Sequence, residues 1–158
     1  MKTHFLLTIL LLFSSSMLFA QNNQIIKLFE KYENEDNVTV VSISKAMFNL
    51  IPDNITSGKV NLKNITSKIE SMLILTSDNL DMTIKMNEDF KSFIDVNKNY
   101  EELMRVKDGK SNITFHAIKN GELINEFLML VNDEGDFAAI RIAGNFLMED
   151  IQQILEDN

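Results

Sequence analysis

Residues able to carry out chemistry are few in this chain, and their types limit what it could do. Beyond residue 20 the only histidine is His116, since His4 lies in the apolar N-terminal segment, so a multi-histidine metal site cannot be assembled. His116 stands in an alternating stretch, Phe115-His116-Ala117, where it reads as a strand residue on the partly wet face of a sheet. A Ser-His-Asp triad would need a serine in a strained turn, and no serine here sits in a Gly-x-Ser-x-Gly elbow. With no cysteine, thiol catalysis is absent as well.

Carboxylates are plentiful, and glycosidase-type pairs leave no short signature in a sequence. Glu101 and Glu102 are adjacent on a strand and point to opposite faces, so only one could serve a cleft. Asp133, Glu134 and Asp136 surround Gly135 and could offer oxygens to calcium, but they lack the spacing and the distal glutamate of a dedicated loop. A solvated hairpin turn is the reading for them. Gly58, Gly109, Gly121, Gly135 and Gly144 stand alone, so no phosphate-cradling loop can be built from them. The triplets at Asn37, Asn54, Asn64 and Asn112 match the N-glycosylation pattern by chance in an asparagine-rich chain. No catalytic, cofactor-binding or metal-ligating residue is assigned, and no cofactor is expected.

The elements that would position any site begin after a leader. Residues 1–20 carry Lys2, a run from Phe5 to Phe13 that is apolar but for Thr8, then Ser14, Ser15 and Ser16, which is the grammar of a secretory signal. The run is shorter than the roughly 18 to 20 residues that a bilayer crossing needs. Ala20 supplies the small residue before a cut, so Gln21 is the expected new N-terminus. Leu18 departs from the pattern and leaves an uncleaved anchor as the alternative. No cysteine follows the run, which excludes a lipoprotein anchor. The expected destination is the periplasm or the extracellular space.

A net charge of −8, about −9 without Lys2, repels phosphate backbones and anionic headgroups. Neither nucleic acid nor membrane insertion after signal removal is expected. Residues 21–158 suffice for one core, which must hold without disulfides. An apolar share of 45% with a single proline places the chain among globular proteins.

Ile25, Ile26, Leu28, Phe29 and Tyr32 recur at helical spacing, predicting an amphipathic helix over Asn23 to Tyr32 whose stripe faces a sheet. Val38 to Ser44 is apolar on both faces, as a central strand covered on each side would be. Ser44 can cap a short helix from Lys45 to Ile51, carrying Met47, Leu50 and Ile51 on one side and stopped by Pro52. Asp53 to Asn64 is polar with one glycine and no sustained period, and reads as a long loop or a short irregular turn of helix. Ser67 to Thr76 fits a strand better than a helix, although Lys68 to Met72 could also begin a helix, and Ser77 or Asp78 caps a helix to about Asp95 that buries Met82, Met86, Phe90, Phe93 and Ile94.

Alternating segments then follow at Tyr100 to Lys107, Asn112 to Ile118, Leu123 to Val131 and Phe137 to Ala143, joined by Asp108-Gly109, Asn120-Gly121 and Glu134-Gly135. Gly144-Asn145-Phe146 ends the last strand, and Glu149 and Asp150 favour the start of a closing helix with Leu147, Ile151, Ile154 and Leu155 on one face. The fold class is therefore α+β, a single mostly antiparallel sheet with a C-terminal four-strand meander and helices packed mainly on one face. Phe29, Phe48, Phe90, Phe93, Phe115, Phe127, Phe137 and Phe146 are its core aromatics, in preference to an aromatic ligand cage.

Ile43-Ser-Lys-Ala-Met-Phe48, the segment from Lys68 to Ser77, Tyr100 to Lys107, and Gly144-Asn145-Phe146 with Glu149-Asp-Ile151 together resemble a family of small exported proteins from Bacteroides-type bacteria, domain of unknown function four-two-five-two. The resemblance spans nearly all of residues 21–158. It implies a Gram-negative envelope setting and brings no established activity, cofactor or catalytic residue. The expected function is an exported non-enzymatic envelope module that binds a protein or envelope component, with exposed sheet edges as natural docking sites. The alternative is a hydrolase using clustered carboxylates with or without His116, and a third reading is a stress-linked envelope factor.

Overall fold

The computed structural model describes residues 17–52, 56–57, 60–147 and 149–150. Helix α1 covers Met17–Glu30, strand β1 Thr39–Ser44, helix α2 Lys45–Phe48, strand β2 Thr56–Ser57, strand β3 Val60–Asn61 and helix α3 Leu62–Thr66. Strand β4 (Ile69–Ser77) and helix α4 (Leu80–Val96) follow, and the meander consists of β5 (Glu101–Asp108), β6 (Ser111–Asn120), β7 (Leu123–Asp133) and β8 (Asp136–Leu147). The α+β class holds. Its main sheet has six strands in the order β1-β4-β8-β7-β6-β5, every neighbouring pair antiparallel, while β2 and β3 form a separate small hairpin.

The 17 residues of α4 explain this order, because a helix of that length spans about 25 Å and so carries the chain from β4 across the sheet to its far edge at β5. The meander then walks back and inserts β8 beside β4. Its turns are short. Asp108 pairs with Ser111 and Asn120 with Leu123, so Gly109 (φ +55°) and Gly121 (φ +65°) take the first turn position, where only glycine adopts that backbone cheaply. Between Asp133 and Asp136 both Glu134 and Gly135 have positive φ, the primed geometry that matches strand twist.

One buried cluster joins Ile25 and Phe29 of α1 and Met86 and Phe90 of α4 to Leu75, Leu128, Phe137 and Ala139 of the sheet. The rings of Phe29 and Phe90 meet edge to face, with centroids 5.4 Å apart. Beyond α1, Tyr32 and Lys31 both donate to Asp89 of α4, and Lys85 reaches Glu35 at 3.2 Å, so the two helices are tied through polar tips as well as apolar stripes. A second, smaller cluster contains Phe48, Ile69, Ala117, Ile124 and Phe146.

Several expectations need correction. Helix α1 begins at Met17 rather than Asn23, and Tyr32 sits in the turn that closes it. Strand β1 is an edge strand, not a central one. Helix α2 ends at Phe48, its buried residue, rather than at Ile51, while Met47 is 60% exposed and Leu50, beyond the helix end, 75%, and Ser44 makes no side-chain cap. The cap of α4 is Asn79, whose Oδ1 accepts from Met82 N at 3.1 Å, while Ser77 Oγ accepts from Asn79 N. Strand β8 runs through Gly144 to Leu147. A Cβ on Gly144 would clash with the Lys68 carbonyl oxygen, so this glycine serves close backbone approach rather than a strand end. Most of the expected closing helix lies outside the described residues. Asp150 is described: it accepts from Lys68 and from Leu147 N, and although burial opposes ionisation these bonds hold its carboxyl below the usual range.

Candidate docking face

Alternation along each strand divides the sheet into two faces, and only one of them carries the α1 and α4 cluster. On the other, cross-strand pairing lines up Val41, Ile74, Ile140, Met129, Phe115 and Met104 from edge to edge. A parallel row runs Thr39, Thr76, Ala138, Val131, Ile113 and Val106. The middle residues of both rows are half-buried, and the edge residues Val41, Met104 and Val106 are 41%, 47% and 44% exposed. A third row, Ile43, Met72, Ile142, Phe127, Ala117 and Glu101, contacts the small cluster around Phe48 and Phe146. Across these rows Glu101 is the one charge, and Lys119 neutralises it at 2.6 Å.

Bulges confine the apolar rows to one end of the sheet. Register shifts at Glu102/Met104, Ile118/Lys119 and Ile124/Glu126 interrupt the alternation. Ile124 therefore joins Phe146 in the small cluster although it shares the parity of Leu128 in the other core.

At the opposite end the same face turns acidic. Two residues beyond the second row lie Asp78, Asp136, Asp133 and Asp108, all exposed, and none forms an ion pair among the described residues. Where this rim meets the apolar rows there is an open concavity of about 490 Å³, floored by Val131 and Ala138 and flanked by Thr39, Thr76, Asp78 and Asp136. Its walls are fixed. Ser77 Oγ donates to the Asn37 carbonyl at 2.7 Å, and Thr83 Oγ1 lies 2.8 Å from the Gly135 carbonyl, holding the β7–β8 turn to the start of α4.

Beneath the helices lies the other polar feature. Glu126 and Arg141, 3% and 2% exposed, form an ion pair, and Tyr100 donates to the second Glu126 oxygen. Arg141 Nη1 also reaches Ser71 Oγ at 3.3 Å. Burial and the Glu126 charge push the Tyr100 hydroxyl far above its ordinary value, so it stays protonated as a donor. The network is closed off from solvent, which makes it an internal clamp. Sequence reading missed it, although Glu126 is in phase with Leu128 and Leu130, and Arg141 with Phe137 and Ala139, and a charge in phase with a core face is the signal that would have found it.

His116 is not on a wet face. It pairs with Leu128 on the side of the α1 and α4 cluster and is 5% exposed, with Nδ1 lacking a hydrogen-bond partner among the described residues. Burial depresses its pKa, the Glu102 charge opposes that, and Arg105 adds to it. Glu101 and Glu102 do point to opposite faces, pairing with Ala117 and His116. Glu102 is held by Arg105, so it has no free carboxylate to offer. Among the described residues no group of three or more metal-ligating side chains converges, and no helix is long and apolar enough to cross a membrane.

Residues 32–154 match the family model described as Domain of unknown function (DUF4252). The chain belongs to this family. The match begins at Tyr32 and so takes in every strand of the main sheet, with both the apolar rows and the aspartate rim. Comparison with curated proteins finds no match.

Proposed function

We propose that this DUF4252 protein is a non-enzymatic binding module of the cell envelope, exported by removal of residues 1–20 and acting in the periplasm or outside the cell. The observation that carries this reading is the apolar row from Val41 to Met104, which crosses the whole sheet with both edge residues more than one-third exposed. An apolar surface of this extent, rimmed by polar residues, is what a docking site requires. The face suits docking better than the β5 edge, because that strand carries Glu101 and Glu102, paired with Lys119 and Arg105, charges that discourage strand addition.

The hydrolase alternative is less well supported. Acid catalysis needs one carboxyl held in an apolar setting, whereas Asp78 and Asp136 in the concavity are both exposed, and His116 lies on the other side of the sheet.

Methionine oxidation tests the reading in the free protein. Met104 and Met129 on the open face should convert to sulfoxides well before Met86, which is fully buried on the inner side of α4, with exposed Met47 as the fast reference. Met129 oxidising only together with Met86 would mean that the face is covered in solution and is not a docking surface.

A further inference from the structure

We infer that the partner seated on this face is a cationic amphipathic polypeptide segment, and that one of its Lys or Arg side chains enters the concavity between Asp78 and Asp136. This rests on the binding-module reading above and adds the chemistry of the partner.

The apolar rows set the first requirement. Ile74, Ile140, Met129 and Phe115 present branched and aromatic surface without a charge among them, so the contacting side of the partner is apolar. The sheet's six strands span roughly 24 Å. An amphipathic helix of about 16 residues has the same length.

Charge sets the second requirement and decides between occupants. Asp78, Asp136, Asp133 and Asp108 line one end of the face without ion pairs among the described residues, on a chain whose net charge is already −8. A partner that placed acidic groups there would meet uncompensated repulsion, and one that placed basic groups there would be steered and held. Anionic membrane surfaces are disfavoured on the same ground. The chain's own end is a poor occupant too: residues 151–158 include Glu156 and Asp157, and they follow Asp150, which lies with Lys68 and Leu147 at the end of the sheet remote from the aspartates.

The concavity sets the third requirement. Val131 and Ala138 at its floor suit a methylene stem, while Asp78 and Asp136 at its mouth suit the charged head, and a long basic side chain supplies both.

The test uses the purified protein and two synthetic helices of about 18 residues, one leucine–lysine and one leucine–glutamate with the same apolar pattern. The lysine peptide should bind, with affinity falling steeply as salt rises, and the glutamate peptide should bind at least tenfold more weakly. Asp78→Asn combined with Asp133→Asn and Asp136→Asn should weaken the lysine peptide about tenfold and flatten the salt dependence. Because these aspartates are exposed, the variant should keep the wild-type melting temperature. Ile140→Lys should abolish binding.

Equal binding of the two peptides, or binding that survives Ile140→Lys, would overturn the proposal. So would binding to anionic vesicles in preference to the peptide, or concentration-dependent self-association through this face without peptide binding. The methionine experiment separates the two levels: an accessible Met129 with no preference for lysine defeats the partner chemistry alone, and a shielded Met129 defeats the docking face itself.

Discussion

A glutamate in phase with the leucines of a core-facing strand is a charge that the fold has to neutralise, and Arg141 on the adjacent strand does so for Glu126. Such a buried pair is held in place by the cost of breaking it more than by its net contribution. Arg141→Leu or Glu126→Leu alone should therefore destabilise the protein by about 3 to 5 kcal/mol, while the double substitution should restore most of that loss, as read in urea unfolding. His116 gives the pH counterpart. Its folded pKa lies below the ordinary value of 6.5, so the unfolded chain takes up the proton first and stability falls as pH drops below about 6.5. The depressed carboxylates Asp89, Asp150 and Glu102 act in a lower window, losing their contribution as pH falls below about 4 to 5. The decline in stability between pH 6.5 and 5 should accordingly flatten in His116→Gln, in unfolding curves compared at matched ionic strength.

At the level of elements, hairpin punctuation was the most legible part of the sequence. Asp-Gly, Asn-Gly and Glu-Gly placed each meander turn, because positive φ confines the choice of residue, and the structure moves the turns by no more than a residue. The amphipathic stripe of α4 was equally plain, since Met86 and Phe90 recur at helical spacing. Strand β1 was misread for a physical reason: Val40 packs toward α1 while Val41 lies on the open apolar face, and residue type does not distinguish an open apolar face from a covered one. The bulges were invisible, because an extra residue in a strand leaves no compositional mark. Gly144 shows how a glycine can be essential at ordinary φ. Gly144→Ala must displace both the Lys68 carbonyl and the Phe146 ring, and it should cost about 1 to 3 kcal/mol in thermal unfolding, weakening the Asn145 N to Lys68 O bond at 3.1 Å.

At the scale of the whole fold, the described residues form an α+β arrangement in which one sheet face carries the helical core and the other presents apolar rows bordered by aspartates. The sequence revealed the acidic balance and the apolar strands but not the site, because the docking face is a property of register. Val41, Ile74, Ile140, Met129, Phe115 and Met104 come from six different strands and meet only through pairing. Phe115 and Phe127, expected in the core, are only half-buried on that face for the same reason. The thermal stability of Ile140→Lys tests the open face most directly. On an uncovered face the lysine stem lies along its neighbours with its ammonium in water, and the melting temperature should stay within a few degrees of wild type. A loss of several kcal/mol, the cost of forcing a charge into a closed interior, would show that this side of the sheet is core and would contradict the account.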